Sequence, residues 1–289
     1  FGKGIKEPSL FQQTESLYTA LGPQLAAQDH VTPIGPEEAR TYDLGLEQVL
    51  IHQRLRIGLT YFHNQFNNRV EYVPVQALKQ LGVTQMNDPN DLYGAYVNSS
   101  AFVSRGLEFE SELRAGEHLF VRGGYTYTDA KVQRSFDSDN FNDPADGYGP
   151  VYNTAFNFGA IPIGAYSPLV GARPFRVAPH SGYFALSYTR PKFYGSLTGT
   201  MVGRRDDSDF LTDSNFGNSL LLPNRNLDGA YQRLELGGGY QVTPRFNVYA
   251  DIQNLLGEHY YEAFGYPALP LTFRSGVKLN FGGESWKRK

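Results

Sequence analysis

Connections in this chain alternate, tight then long, along its whole length, and that alternation restricts the fold more than any composition figure does. It becomes visible once the intervening segments are read two residues at a time. Arg40–Val49 sets Tyr42, Leu44 and Leu46 against Asp43, Gly45 and Glu47. Arg54–Asn64 sets Leu55, Ile57, Leu59 and Tyr61 against Arg54, Arg56, Gly58 and Thr60. Arg105–Ala115 sets Leu107, Phe109, Ser111 and Leu113 against Glu108, Glu110, Glu112 and Arg114, and His118–Thr128 sets Leu119, Val121, Tyr125 and Tyr127 against Arg122, Gly124 and Thr126. Toward the end, Leu234, Leu236 and Tyr240 oppose Arg233, Glu235 and Gly239. Phe246, Val248, Ala250 and Ile252 oppose Asn247, Tyr249 and Asp251. Phe273, Ser275, Val277, Leu279 and Phe281 oppose Arg274, Gly276, Lys278 and Asn280. Gly182–Arg190 and Phe193–Gly203 alternate less cleanly. A helix would rotate Glu108, Glu110 and Glu112 by about 200° per step and scatter them. A strand gathers them on one face. The count is about nine strands.

Tight connections fall at 50–53, 115–118, 190–192 and 241–244, and long ones at 2–38, 67–95, 133–174, 205–227 and 257–269. If every second connection is tight, consecutive strands pair as antiparallel neighbours and all tight turns share one end. A Greek-key sandwich has no reason to sort its loops so. A transmembrane barrel has one, with short turns on one side of the membrane and long loops on the other. The expected fold is all-β: an antiparallel up-and-down transmembrane barrel portion whose segments reach the roughly 9–11 residues that cross a bilayer.

Composition is compatible with this. The 289 residues include 20 Tyr, 20 Phe and 31 Gly, a bias toward strands, turns and an interfacial aromatic girdle. The mean hydropathy of −0.41 is that of a soluble protein, but a barrel shows the same value because alternate residues face its lumen. No apolar run approaches the ~20 residues of a membrane-crossing helix. The 26 Lys+Arg against 29 Asp+Glu, net −3, argue against a general nucleic-acid binder. With no cysteine, disulfides and thiolate metal sites are excluded. The first residue is Phe1, without an initiator Met or a signal peptide, as in a processed product or a fragment.

The stretch Asn254–Phe281, "NLLGEHYYEAFGYPALPLTFRSGVKLNF", resembles the C-terminal end of TonB-dependent outer-membrane receptors. The residues that carry the resemblance are Asn254, Leu255 and Leu256, then Tyr260, Tyr261, Gly265, Tyr266 and Pro267, then Arg274 and the terminal Phe281. Gly4–Gln12, Arg40–Gln48 and Arg105–Arg114 resemble further segments of that family in the same order. The resemblance implies an active importer in the bacterial outer membrane, with a barrel of roughly 22 strands around an N-terminal plug. A short plug segment binds the energy-coupling protein TonB from the periplasmic side. It further implies that residues 1–281 are the last part of such a barrel, that the plug and the TonB-binding segment lie outside this chain, and that Gly282–Lys289 is a tail after the last strand. The cargo it suggests is a ferric siderophore first and cobalamin second. An odd strand count also points to part of a larger barrel, because closed bacterial barrels have an even number.

The charged sides of the strands carry Arg54, Arg56, Glu108, Glu110, Glu112, Arg122, Arg233, Glu235, Asp251 and Lys278, expected to face the lumen and a plug. Aromatic residues in two long connections, Tyr148, Tyr152, Phe156 and Tyr166 and then Tyr260, Tyr261, Phe264 and Tyr266, are candidates to grip a bulky small-molecule ligand by stacking. The alternative is that they pack loops together or line the outer aromatic girdle. Asp137, Asp139, Asp143 and Asp146 offer calcium ligands, although Phe141 breaks an EF-hand pattern. The six histidines lack metal-ligand spacing, Gly237–Gly239 opens no helix and so is no phosphate loop, and no nucleophile elbow occurs. No cofactor and no catalytic residue is therefore nominated, and no enzyme is expected. Two rivals stay open on the residues alone: a passive porin-like or structural barrel, and a secreted β-sandwich binding module.

Overall fold

The computed structural model describes residues 1–74, 94–134, 157–158, 161–162, 171–211, 220–263 and 266–281. Its elements run β1 (Gly2–Lys6), α1 (Leu10–Thr14), α2 (Leu17–Gln28), β2 (Glu37–Leu50), β3 (Leu55–Pro74), β4 (Gly94–Ala115), β5 (Leu119–Arg134), β6 (Asn157–Phe158), β7 (Ile161–Pro162), β8 (His180–Thr189) and β9 (Phe193–Val202). They continue with β10 (Arg205–Leu211), β11 (Leu220–Asp228), β12 (Tyr231–Thr243), β13 (Phe246–Gln253), β14 (Tyr261–Ala263), β15 (Tyr266–Pro267) and β16 (Thr272–Leu279). Ten strands make one sheet in the order β1-β2-β3-β4-β5-β8-β9-β12-β13-β16, and every pairing is antiparallel. The three remaining pairs, β6-β7, β10-β11 and β14-β15, are small hairpins inside the long connections. This is an up-and-down barrel wall, open at β1 and β16. The tenth strand, Gly2–Lys6, carries one large apolar residue, Ile5, so the alternation that marks the other nine does not mark it.

All four tight turns lie at one end of the sheet and the long connections at the other. The β2–β3 turn is a left-handed run, with positive φ at Ile51, His52 and Gln53. Arg54, expected on the β3 strand, closes this turn instead, with its amide donating to the Ile51 carbonyl at 3.1 Å. The first long connection is built as structure, not as a bare loop. Ser9 caps α1 in a reciprocal capping box with Gln12, and α2 kinks at Gly22 (φ +73°) before Pro23. Leu17, Leu21 and Ala26 of α2 are buried, as is Ala95 at the start of β4, and the Tyr96 amide donates to the Glu15 carbonyl at 3.0 Å. Helix and strand are thereby joined at the loop end.

Strands β3 and β4 are 20 and 22 residues long, about twice what a bilayer requires. The connection expected at 67–95 shrinks accordingly to 75–93. The hairpin bulges between Phe66 and Arg69, where Asn68 has φ 52°. Beyond that point the two-residue alternation is lost, as befits strand that has left a two-sided environment. At the other extreme β13 and β16 are eight residues each, slightly short of the expected span.

From the middle of the sheet down to its tight turns, the register of β2 to β5 sorts the side chains by face. Directly paired residues share a face. One face carries Leu46, Leu59, Phe109 and Tyr125 on one rung and Leu50, Leu55, Leu113, Val121 and Leu186 on another. The other carries the charges. On that second face four aromatic rings lie over glycines directly across the ladder: Phe62 on Gly106, Tyr183 on Gly124, Tyr194 on Gly239 and Tyr249 on Gly276. A Cβ at Gly124 would sit 2.5 Å from the Tyr183 ring, and one at Gly239 2.5 Å from the Tyr194 ring. These glycines are places where a ring needs the room.

Candidate functional site at the loop-side rim and on the charged face

The charged face is organised around the middle of β4. Its three glutamates form a column, and each sits in a distinct rung. Glu112 lies between Arg56 and Arg122, Glu110 between Gly58 and Gly124, and Glu108 between Thr60 and Thr126. The glutamate side chains are exposed. Arg56 donates to Glu47 across the β2–β3 ladder. Farther along the sheet Asp251 receives Arg274 Nε at 3.0 Å, Arg233 Nε lies 3.2 Å from Glu235 Oε1, and Lys278 pairs with Asn247. Apart from Arg54, then, every charge nominated from sequence falls on one face. Arg274 joins them there. Its sequence signal was its place in the final alternating strand, opposite a residue of like phase.

At the loop end the chain builds a buried cluster that no local pattern announced. Arg205, at the start of β10, is 4 % exposed. Its Nη2 donates to the Tyr261 carbonyl at 2.8 Å and lies 3.7 Å from Asp228 Oδ2 at the end of β11. Its guanidinium sits 5.3 Å from the centre of the Tyr231 ring, and that ring stacks on Tyr260 at 3.9 Å and 11°. Arg233 reaches Glu262 Oε1 at 3.5 Å, and the Gln232 amide donates to Glu258 Oε2 at 2.7 Å. Asn254, at φ 50°, donates from Nδ2 to the Glu258 and Leu269 carbonyls and accepts from the Glu258 amide. Arg205 therefore ties the β9–β12 connection to the β13–β16 connection, the Tyr231–Tyr260 stack fastens the latter to the start of β12, and Asn254 closes the β13–β16 connection on itself.

This cluster divides the aromatic candidates. Tyr260 is 8 % exposed, with one ring face covered by Tyr231, so it packs its connection against the start of β12. Tyr261 and Tyr266, in the β14–β15 hairpin, are exposed at 49 % and 75 % and present free ring surface at the rim. Tyr148, Tyr152, Phe156, Tyr166 and Phe264 lie outside the described residues, as do the calcium candidates Asp137, Asp139, Asp143 and Asp146 and the tail 282–289. Among the described residues no three His, Asp or Glu gather as a metal site, and no helix is long and apolar enough to cross a membrane.

Comparison with known proteins places this geometry. The family profile described as "TonB dependent receptor-like, beta-barrel" matches residues 1–255. Among solved structures, the ferripyoverdine receptor of the outer membrane of Pseudomonas aeruginosa, bound to ferripyoverdine, superposes with a TM-score of 0.55 at 15 % identity, over 86 % of this chain and 28 % of that one. The ferric-catecholate import receptor Fiu from E. coli K12 superposes at 0.58 and 17 %, over 96 % and 32 %. The copper transporter OprC superposes at 0.56 and 13 %, over 96 % and 36 %. The chain thus spans about a third of the length of these structures. A search of curated protein sequences found no match.

Proposed function

The chain belongs to the TonB-dependent receptor β-barrel family, and from that premise we propose that it is the loop-bearing wall of an outer-membrane importer for a scarce, bulky solute. The observation that carries the proposal is the sorting of the sheet into an apolar face and a charged face, with every long connection on one rim. An apolar outer face meets hydrocarbon, which solvates no charge. The charged face then borders water and a plug inside the barrel, supplied by sequence N-terminal to this wall. Glu108, Glu110 and Glu112, with Arg56 and Arg122 beside them, give the plug polar partners that exchange readily with water. It can therefore be held at rest and displaced when TonB pulls. No bond is made or broken in this cycle, so no catalytic group is required.

The solute enters from the loop rim, where Tyr261 and Tyr266 offer exposed rings beside the Arg233–Glu262 pair. Ferric siderophore is the cargo class we favour over cobalamin, because two of the structures above are described by ferripyoverdine and ferric-catecholate import. The test is radiotracer uptake by cells whose only receptor is the intact protein, supplied in turn with ferric catecholate or ferric hydroxamate carrying radio-iron, cobalamin carrying radio-cobalt, or radio-copper. Uptake of a ferric chelate that stops when TonB is deleted supports the proposal. Uptake of none of the four, or uptake that persists without TonB as through a passive pore, contradicts it.

A further inference from the structure

The apolar face does not end in bare hydrocarbon-loving surface at the loop rim. Above Leu44, Tyr61, Leu107 and Tyr127 the next rung of the same face reads Tyr42, His63, Arg105 and Asp129. The rung above that runs Lys3, Arg40, Gln65, Val103 and Lys131 across five strands. Four cations therefore occupy two successive rungs on a face otherwise free of charge down to the tight turns of β2–β5. Two carboxylates accompany them, and each is shared. Glu38 lies 3.8 Å from Lys3 Nζ and 4.0 Å from Arg40 Nη2. Asp129 lies 3.0 Å from Arg105 Nη2 and 3.9 Å from Lys131 Nζ. Among the described residues, two carboxylates thus face four cations. The cation side chains are also the outward ones, 50–60 % exposed, whereas the two carboxylates are about half as exposed.

We propose that the Lys3–Arg40–Arg105–Lys131 row is a docking surface for the phosphorylated headgroup of a membrane lipid. This rests on the reading of the apolar face as lipid-facing. Height supports it: at about 3.3 Å per residue, Arg105 sits about 7 Å along the strand above Leu107, and the upper rung a further 7 Å or so. On tilted strands that is the depth of the headgroup layer flanking the hydrocarbon. Charge supports it too, since cations near an anionic surface each contribute a several-fold gain in binding. The Arg105 guanidinium and the Lys131 ammonium share one partner, so each keeps donors for a phosphate. A protein partner is the less favoured occupant, because the row continues without a break into an apolar band that a soluble partner would have to leave uncovered.

The intact protein is incubated with phosphatidylcholine vesicles doped with either phosphatidic acid or diacylglycerol. Flotation measures insertion, and native mass spectrometry after transfer to detergent counts retained lipid. The expected result is insertion into both vesicle types, with phosphatidic acid alone retained. Retention falls about tenfold in Arg105→Gln/Lys131→Gln and also in Lys3→Gln/Arg40→Gln, while insertion is unchanged. Asp129→Asn, which releases two cations, raises it. Equal retention by wild type and both double variants overturns the proposal. So does loss of the retained lipid to inorganic phosphate at matched concentration, which marks a free-anion site. Failure to insert into either vesicle takes down the lipid-facing reading first and this proposal with it.

Discussion

Gly124 and Gly239 show how single residues set the shape of the charged face. Each is the only residue type that lets the ring across the ladder lie flat on the strand. Gly124→Val drives a branched side chain into Tyr183, and overpacking of this kind costs roughly 1–3 kcal/mol. We expect a lower urea midpoint for refolding into bilayers, restored in part by Gly124→Val/Tyr183→Ala, which opens the space again. Arg205 argues the opposite case. It is a charge buried beside Asp228 and under Tyr231, and removing one partner of a buried pair costs roughly 3–5 kcal/mol. Arg205→Met should leave the membrane-crossing strands intact and expose the β9–β12 and β13–β16 connections. The measurement is limited proteolysis, with cleavage appearing within 205–228 or 254–271 in the variant alone. The sequence showed little of this cluster, because its members lie up to 57 residues apart, from Arg205 to Glu262, and no period relates them.

At the scale of elements, legibility followed the environment. β2, the lower halves of β3 and β4, and β12, β13 and β16 alternate, as strands do when one face meets an apolar medium and the other a polar one. The upper halves of β3 and β4 lose that contrast, so their sequence, "NNRVEYVP" and "GAYVNSSAFVS", reads as loop although it is strand. β1 has too few apolar residues to alternate, and α1 and α2 are short and broken at Gly22–Pro23, so neither projects a helical stripe. Arg54 falls one residue before β3 for a related reason. It continues the phase of β3 by one step, but the run of left-handed residues before it uses it to close the turn. The two faces predict responses of different size to the same introduced charge. Leu46→Arg, in the middle of the apolar face, should cost roughly 2–4 kcal/mol of folding free energy in a bilayer. Thr126→Arg, on the charged face beside Glu108, should cost less than 1 kcal/mol, on the scale of surface ion pairs. Equilibrium refolding into vesicles across a urea series measures both.

At the scale of the molecule, β1 and β16 each have one neighbour among the described residues, and an open strand edge seeks another. Residues 1–289 refolded alone in detergent should associate edge to edge, and should run as a resistant, compact barrel on unheated gels only when joined to the strands that close the wall. The family was legible, from the sorted loops and from Asn254–Phe281. How the loop aromatics divide was not legible: Tyr260 is buried while Tyr261 and Tyr266 are exposed, a difference set by packing between segments distant in sequence. The account as a whole depends on which way the wall faces. Spin labels placed one at a time at Leu107, Phe109 and Val121, and at Glu108, Glu110, Glu112, Arg122 and Arg233, in the intact protein reconstituted into bilayers, read it directly through relaxation by oxygen dissolved in lipid and by a water-soluble nickel complex. The account predicts oxygen-dominated relaxation at the first three and none of that character at the other five. Oxygen-dominated relaxation at the glutamates, or the same response on both faces, would contradict it.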